Sequence, residues 1–219
     1  MSTAFIVGAT GAVGLELVKL LADSPNFTKV VLLSRRPVLS VANNPKFVQK
    51  IVDFEKLEQY SEVVKGVDVA FCALGANFSL TGYNELAKVE RDYPLSAAKL
   101  AKNNGVKQFI LVSSSGANEN AMFLYSRTKG EAERVVGEVN FEKYVIMRPA
   151  MLEAKREKPR CIEIVGAFLL QPLKLVSNKY FCSATDVARA MMNATETEEK
   201  GKVLWDNVKI MEESKKYKI

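Results

Sequence analysis

"TAFIVGATGAVGLELVKLLADS", residues 3–24, changes character at its glycines. Before them stands an unbroken apolar run, Ala4-Phe5-Ile6-Val7, the pattern of a strand covered on both faces. After them Val13, Leu17, Leu20 and Leu21 recur at helical spacing and fall on one face. Between the two lies Gly8-Ala9-Thr10-Gly11-Ala12-Val13-Gly14, a G-x-x-G-x-x-G turn. Glycines there permit a tight turn and bring backbone N–H groups close to an anion such as a pyrophosphate, and the helix N-terminus adds partial positive charge. The alternative is a helix entry whose glycines serve packing alone. A strand before and an amphipathic helix after favour the anion cradle.

The same alternation continues down the chain. Apolar runs at 29–34 (KVVLLS), 46–54 (KFVQKIVDF), 68–75 (DVAFCALG), 107–116 (KQFILVSSSG) and 142–149 (EKYVIMRP) read as further strands. Helical spacing fills 55–66 up to Gly66, about 84–104 up to "NNG", and about 121–137. Pro94 predicts a kink or break in the second of these. Strands alternating with helices predict an α/β fold with a doubly wound parallel sheet. After Pro149 the pattern weakens. Residues 160–176 are apolar and read as a helix interrupted by Pro172, and 183–196 read as a helix capped by Ser183 or Thr185. We therefore expect one domain over 1–219, with 150–219 contributing a small substrate-side lobe at the carboxyl edge of the sheet.

The 219 residues contain no histidine, which removes Ser-His-Asp and Cys-His catalysis and the usual zinc sites. Cys72, Cys161 and Cys182 are scattered, so neither a metal site nor a disulfide framework is expected. The net charge of +6 is dispersed, densest at 155–160 (KREKPR) and near the C-terminus (KKYK), without an aromatic ladder, so no nucleic-acid partner is expected. The start of the chain shows no basic lead or apolar signal segment, and no run is long enough to span a bilayer. The expectation drawn from this is a soluble cytoplasmic protein.

The second strand ends in "SRRP". Where dinucleotide sites place an acidic residue for the ribose hydroxyls, this chain has Arg35 and Arg36. They suit a ribose 2′-phosphate, which predicts NADP(H) over NAD(H); the competing reading is two solvated arginines on a loop. Asp53 and Phe54 end the third strand, where they either border an adenine or, for Phe54, enter the core. The turn holding Leu74 and Gly75 lies at the carboxyl edge of the sheet, where ligands bind in such folds.

Tyr125 and Lys129 are one helical turn apart. Such a pair is either a solvated surface contact or a proton donor and its activator. A lysine ammonium beside a tyrosine favours the phenolate and lowers its pKa from the usual ~10. A serine hydroxyl from Ser113–Ser115, at the end of the preceding strand, can hold a carbonyl oxygen. The chain order of glycine turn, arginines, serines and Tyr-x-x-x-Lys favours the catalytic reading.

With these residues in place the chain resembles an atypical short-chain dehydrogenase/reductase, and is similar to the HIV Tat-interacting protein 2 oxidoreductase family. The resemblance rests on "GATGAVG", "SRRP", "VDFEKLEQY", "DVAFCALG", "VERDYPLSAAKLAK", "FLYSRTKGEAE" and "YVIMRPAML", which together cover most of 4–152, with "TDVARAMMN" in the tail. It implies a Rossmann-like NADP(H)-binding fold and a Ser/Tyr/Lys site. By position it assigns Gly8, Thr10, Gly11, Ala12, Val13 and Gly14 to the pyrophosphate. It assigns Arg35, with Arg36 beside it, to the 2′-phosphate, and the Arg148–Ala150 loop, with Pro149, to the nicotinamide. Ser114, Tyr125 and Lys129 become the catalytic set, the last two also touching the cofactor.

Two functions are expected. One is NADPH-dependent reduction of a small carbonyl substrate. The other is a redox-sensing module that holds NADP(H) and acts through a regulatory protein partner with little turnover. A monomer or a dimer is compatible with either.

Overall fold

The first strand, β1 (Ser2–Val7), sends alternate side chains into two different cores. Ala4 and Ile6 point to one side of the sheet, Phe5 and Val7 to the other, and all four are fully buried. The next strand, β2 (Phe27–Ser34), repeats the division with Val30 and Leu32 against Val31 and Leu33. This two-sided burial explains why the runs are continuously apolar rather than alternating. A computed structural model describes residues 1–76, 83–153 and 181–217.

Seven strands form one sheet in the order β3-β2-β1-β4-β5-β6-β9, every neighbouring pair parallel. They are β1 and β2 with β3 (Phe47–Ile51), β4 (Val69–Cys72), β5 (Gln108–Val112), β6 (Lys143–Met147) and β9 (Gly201–Trp205). A separate parallel pair joins β7 (Met151–Glu153) to β8 (Phe181–Ser183). The chain order reverses between β1 and β4, which opens a crevice at their carboxyl ends. One face carries α1 (Ala12–Asp23), α6 (Ala184–Ala194) and α7 (Asn207–Lys216). The other carries α4 (Tyr93–Asn103) and α5 (Leu124–Gly137), which follow α2 (Ser61–Val64) and α3 (Tyr83–Ala87). The expected doubly wound, Rossmann-like sheet is the architecture observed.

Three local expectations need correction. Residues 55–66 do not form one α-helix: a 3₁₀ segment over Phe54–Tyr60 breaks at Lys56 (φ −134°, ψ 38°) before the short α2. Asp53 caps that segment, its side chain accepting from the Glu55 N–H. The helix expected over 84–104 changes register at Lys88–Asp92, which is π-helical, and resumes as α4 with Pro94 in its first turn. Proline is tolerated there because a first-turn N–H has no intrahelical partner. The tail holds more regular structure than expected. Residues 201–216 supply β9 and α7, and α6 is capped by Ser183, whose Oγ accepts from the Asp186 N–H at 2.9 Å. Beyond β8, the helices α6 and α7 and the strand β9 are thus built into the main layers. The helix expected at 160–176, the 155–160 basic run and Cys161 lie outside the described residues, as does the 154–180 part of the expected substrate-side lobe.

Candidate functional site

The glycine turn is held against the end of β4. Gly8 has φ +86°, and a β-carbon there would stand 2.4 Å from the Ala73 carbonyl carbon and 2.6 Å from the Leu74 nitrogen. A β-carbon on Gly14 would stand 2.1 Å from the Gly8 carbonyl oxygen. The Gly11 N–H donates to that same oxygen at 3.0 Å, closing the turn. Gly11 is also the N-cap of α1, and no side chain caps the helix or places an acid in its first turn. The positive end of α1 therefore faces the crevice without a carboxylate of its own.

A cleft of about 180 Å³ opens over this turn. Gly8, Thr10 and Gly11 line its floor, and Ala73, Leu74 and Gly75 one wall. Ser34, Arg35 and Arg36, at the end of β2, line the opposite side. Both arginines are exposed, and the Ser34 hydroxyl donates to the Arg36 carbonyl at 2.7 Å, fixing the loop. Among the described lining residues none is acidic.

The far end is aromatic. Phe54 packs on Tyr93 with ring centroids 5.2 Å apart, and both rings line the cleft. Burial, helped by the Glu55 carboxylate, pushes the Tyr93 phenol up to about 12, so it keeps its proton and donates to Glu55 at 2.8 Å. Lys88 pairs with the same carboxylate at 3.0 Å. The residues fit a dinucleotide: a backbone cradle that side chains would fill, two exposed guanidinium groups for phosphate and an apolar slot for a base.

Eight of the expected cofactor residues thus meet in one place: Gly8, Thr10, Gly11, Arg35, Arg36, Phe54, Leu74 and Gly75. Others stand apart from it. Val13 is a core residue, and Gly14 packs the helix onto the turn. Ala12 opens α1, and Asp53 spends its carboxylate on its cap. Pro149 is buried and accepts the Ser115 N–H at 3.0 Å. Its neighbour Arg148 is turned away, holding Glu133 through two bonds of 2.9 and 2.6 Å.

Lys129 reaches the end of β5, where Ser114 follows the strand, and none of Ser114, Tyr125 and Lys129 is among the residues lining the cleft. The three adjacent serines differ in surroundings. Ser113 is buried and its hydroxyl donates to Glu133. Ser114 is half-buried, and Ser115 is exposed. Lys129 is buried, its Nζ 3.2 Å from the Val112 carbonyl oxygen and 2.7 Å from Glu90 Oε2. Burial works against its ammonium, but the Glu90 carboxylate and then the Tyr125 phenol outweigh this and hold its pKa above the ordinary lysine range. Tyr125, half-buried one turn earlier, is therefore within electrostatic reach of the ammonium.

The sequence reading missed Glu90. A glutamate in an amphipathic helix reads as solvated, yet Glu90 is 1% exposed. Its signal was position: it follows the buried Leu86 by four residues and precedes the buried Ala97 by seven, on the apolar stripe.

The NAD(P)H-binding family pattern matches residues 8–198, most of the chain. The chain belongs to the NAD(P)H-binding family. Among its relatives is rat protein HTATIP2, 36% identical over 204 residues that cover 86% of this chain and 79% of that one. Protein FMP52, mitochondrial, from Candida albicans is 37% identical over 168 residues, 72% of this chain and 70% of that one. Its Debaryomyces hansenii counterpart is 36% identical over 165 residues, 73% and 71%. The resemblance read from the motifs is thereby borne out. A solved structure of MoeE5 in complex with UDP-glucuronic acid and NAD superposes with TM-score 0.71 at 18% identity, over 94% of this chain and 76% of that one. A UDP-glucuronic acid 4-epimerase from Bacillus cereus gives 0.70 at 17%, over 93% and 77%. At these identities the likeness is one of fold.

The fungal relatives' names correct one expectation. They are mitochondrial, which contradicts the cytoplasmic assignment drawn from the first residues. The lack of a basic lead and of an apolar signal segment, from which that expectation was drawn, was the wrong evidence. Among the described residues no helix is long and apolar enough to cross a membrane.

Proposed function

We propose that the protein is an NADPH-dependent reductase of a small carbonyl compound. The observation that carries this is the buried, charged Lys129 within electrostatic reach of Tyr125, at the strand end beside the cleft. NADPH bound there would supply the hydride. Tyr125 donates the proton to the carbonyl oxygen, Lys129 lowers the phenol's pKa, and the Ser114 hydroxyl orients the oxygen. Ser114 is chosen because Ser113 is already committed to Glu133. Arg35 and Arg36 hold the 2′-phosphate, and the absence of an acid among the described lining residues supports NADP(H) over NAD(H).

The test is NADPH oxidation by purified protein against a panel of aldehydes and ketones. A general acid contributes about 10²–10⁴-fold, so Tyr125→Phe should lose that much. Turnover unchanged in that variant rejects the assignment. Tight NADPH binding with no product from any carbonyl favours the second reading, a cofactor-sensing module acting through a protein partner. For compartment, the fungal relatives' names support a mitochondrial location, which cell fractionation tests.

A further inference from the structure

Glu90 sits on the π-helical turn, and its side chain is fully buried. A carboxylate in such a place is costly unless both oxygens are engaged. Oε1 accepts the Ala76 N–H at 2.6 Å, which anchors the loop after β4 whose earlier residues wall the cleft. Oε2 lies 2.7 Å from Lys129 Nζ. The preceding residue, Val89, lines the cleft itself. One π turn thus faces the cofactor cleft with Val89 and the Lys129 ammonium with Glu90; such turns recur at functional sites.

We propose that Glu90 is a positioning residue that holds Lys129 in place and in its charged form beside Tyr125. The proposal rests on the reductase reading and adds to it a residue outside the Ser/Tyr/Lys set. Among the described residues, the groups facing Lys129 are Glu90 from the π turn, Tyr125 from its own helix, Cys72 from the end of β4 and the Val112 carbonyl from β5. Burial pushes the Cys72 thiol up to about 12, so it carries no charge near neutrality. Glu90 is the anion that offsets the desolvation of the ammonium. Without it, a buried lysine releases its proton to solvent. Loss of Glu90 also removes a repulsion on the Tyr125 phenolate. Tyr125 then faces a neutral amine, however, and the loss of the cation one turn away dominates.

The test is an ultraviolet difference titration of the full chain, with Tyr125 isolated by subtracting the Tyr125→Phe curve in each background. In the wild type, Tyr125 should ionise about one to three pH units below the usual ~10. Glu90→Gln should move it back to that value or above, and Glu90→Asp should leave it near wild type. Identical ionisation in wild type and folded Glu90→Gln overturns the proposal. Should Glu90→Gln not fold, the wild type and Glu90→Asp decide. A wild-type Tyr125 ionising at or above the usual value overturns the proposal, and a lowered value shared by both supports it. No substrate or turnover is needed. A protein that shows the shift but reduces no carbonyl fails the reductase reading alone, and one that turns over without the shift fails this proposal alone.

Discussion

Gly8 lies so close to Ala73 that a β-carbon on Gly8 would sit 2.4 Å from the Ala73 carbonyl carbon, in backbone that cannot rotate away. The glycine turn and the wall of the cleft are therefore one packed unit. Gly8→Ala adds this collision to the ~1–2 kcal/mol cost of a side chain in the left-handed region. Gly105, at φ +80° with nothing near its would-be β-carbon, is the control. We expect Gly105→Ala to lower Tm by a few degrees. Gly8→Ala should lower it further and abolish cofactor binding, read by thermal melting with and without NADPH.

Lys46 closes the C-terminus of α1. Its Nζ donates to the carbonyls of Leu21, Ala22 and Ser24 at 2.9, 2.9 and 2.8 Å. Lys46→Met keeps the stem and removes the cation from the negative end of the helix. The expected cost is about 1–2 kcal/mol, a Tm drop of about 2–8 °C for a chain of this size, with NADPH affinity unchanged.

The serines separate by what they hold. Ser113→Ala breaks the contact with Glu133, which Arg148 also grips, and should lower stability by about 1–3 kcal/mol. Ser114→Ala should leave denaturant stability near wild type and reduce turnover. The reverse pattern would move the carbonyl-orienting role away from Ser114.

Stability should fall at alkaline pH for an identifiable reason. Burial pushes the thiols of Cys72 and Cys182 up to about 12. In the unfolded chain they ionise near ~8.5. Between these values the native state binds more protons than the unfolded state, so unfolding free energy declines as pH rises. Each thiol contributes at most about 1.4 kcal/mol per pH unit. Urea titrations from about pH 8 to 11 should show this decline, and Cys72→Ala should flatten it while lowering stability at neutral pH.

How much of this was legible follows from burial. Strands β1, β2, β4, β5 and β6 are apolar because both faces are covered, so continuous runs marked them. Strand β9 was missed because it lies at the sheet edge and buries only Trp205 fully, leaving Lys202 and Leu204 exposed. The 3₁₀ break at Lys56 hides beneath an apolar spacing that an α-helix would share. The cleft residues were legible because glycines and adjacent arginines at strand ends are unusual. Glu90 was not, since its role depends on Lys129 meeting it from a distant part of the chain. The compartment was misread because the lack of a basic lead and of an apolar signal segment was the wrong evidence for it.

The central claim is that the cleft between the glycine turn and Arg35–Arg36 holds NADP(H). Calorimetric titration of the purified protein with NADPH and NADH tests it most directly. Charge-assisted bonds to the 2′-phosphate should make NADPH bind about 10- to 100-fold tighter, and Arg35→Ala with Arg36→Ala should erase the difference while leaving NADH affinity intact. Equal affinity for the two cofactors in the wild type, or a preference that survives loss of both arginines, would contradict the account.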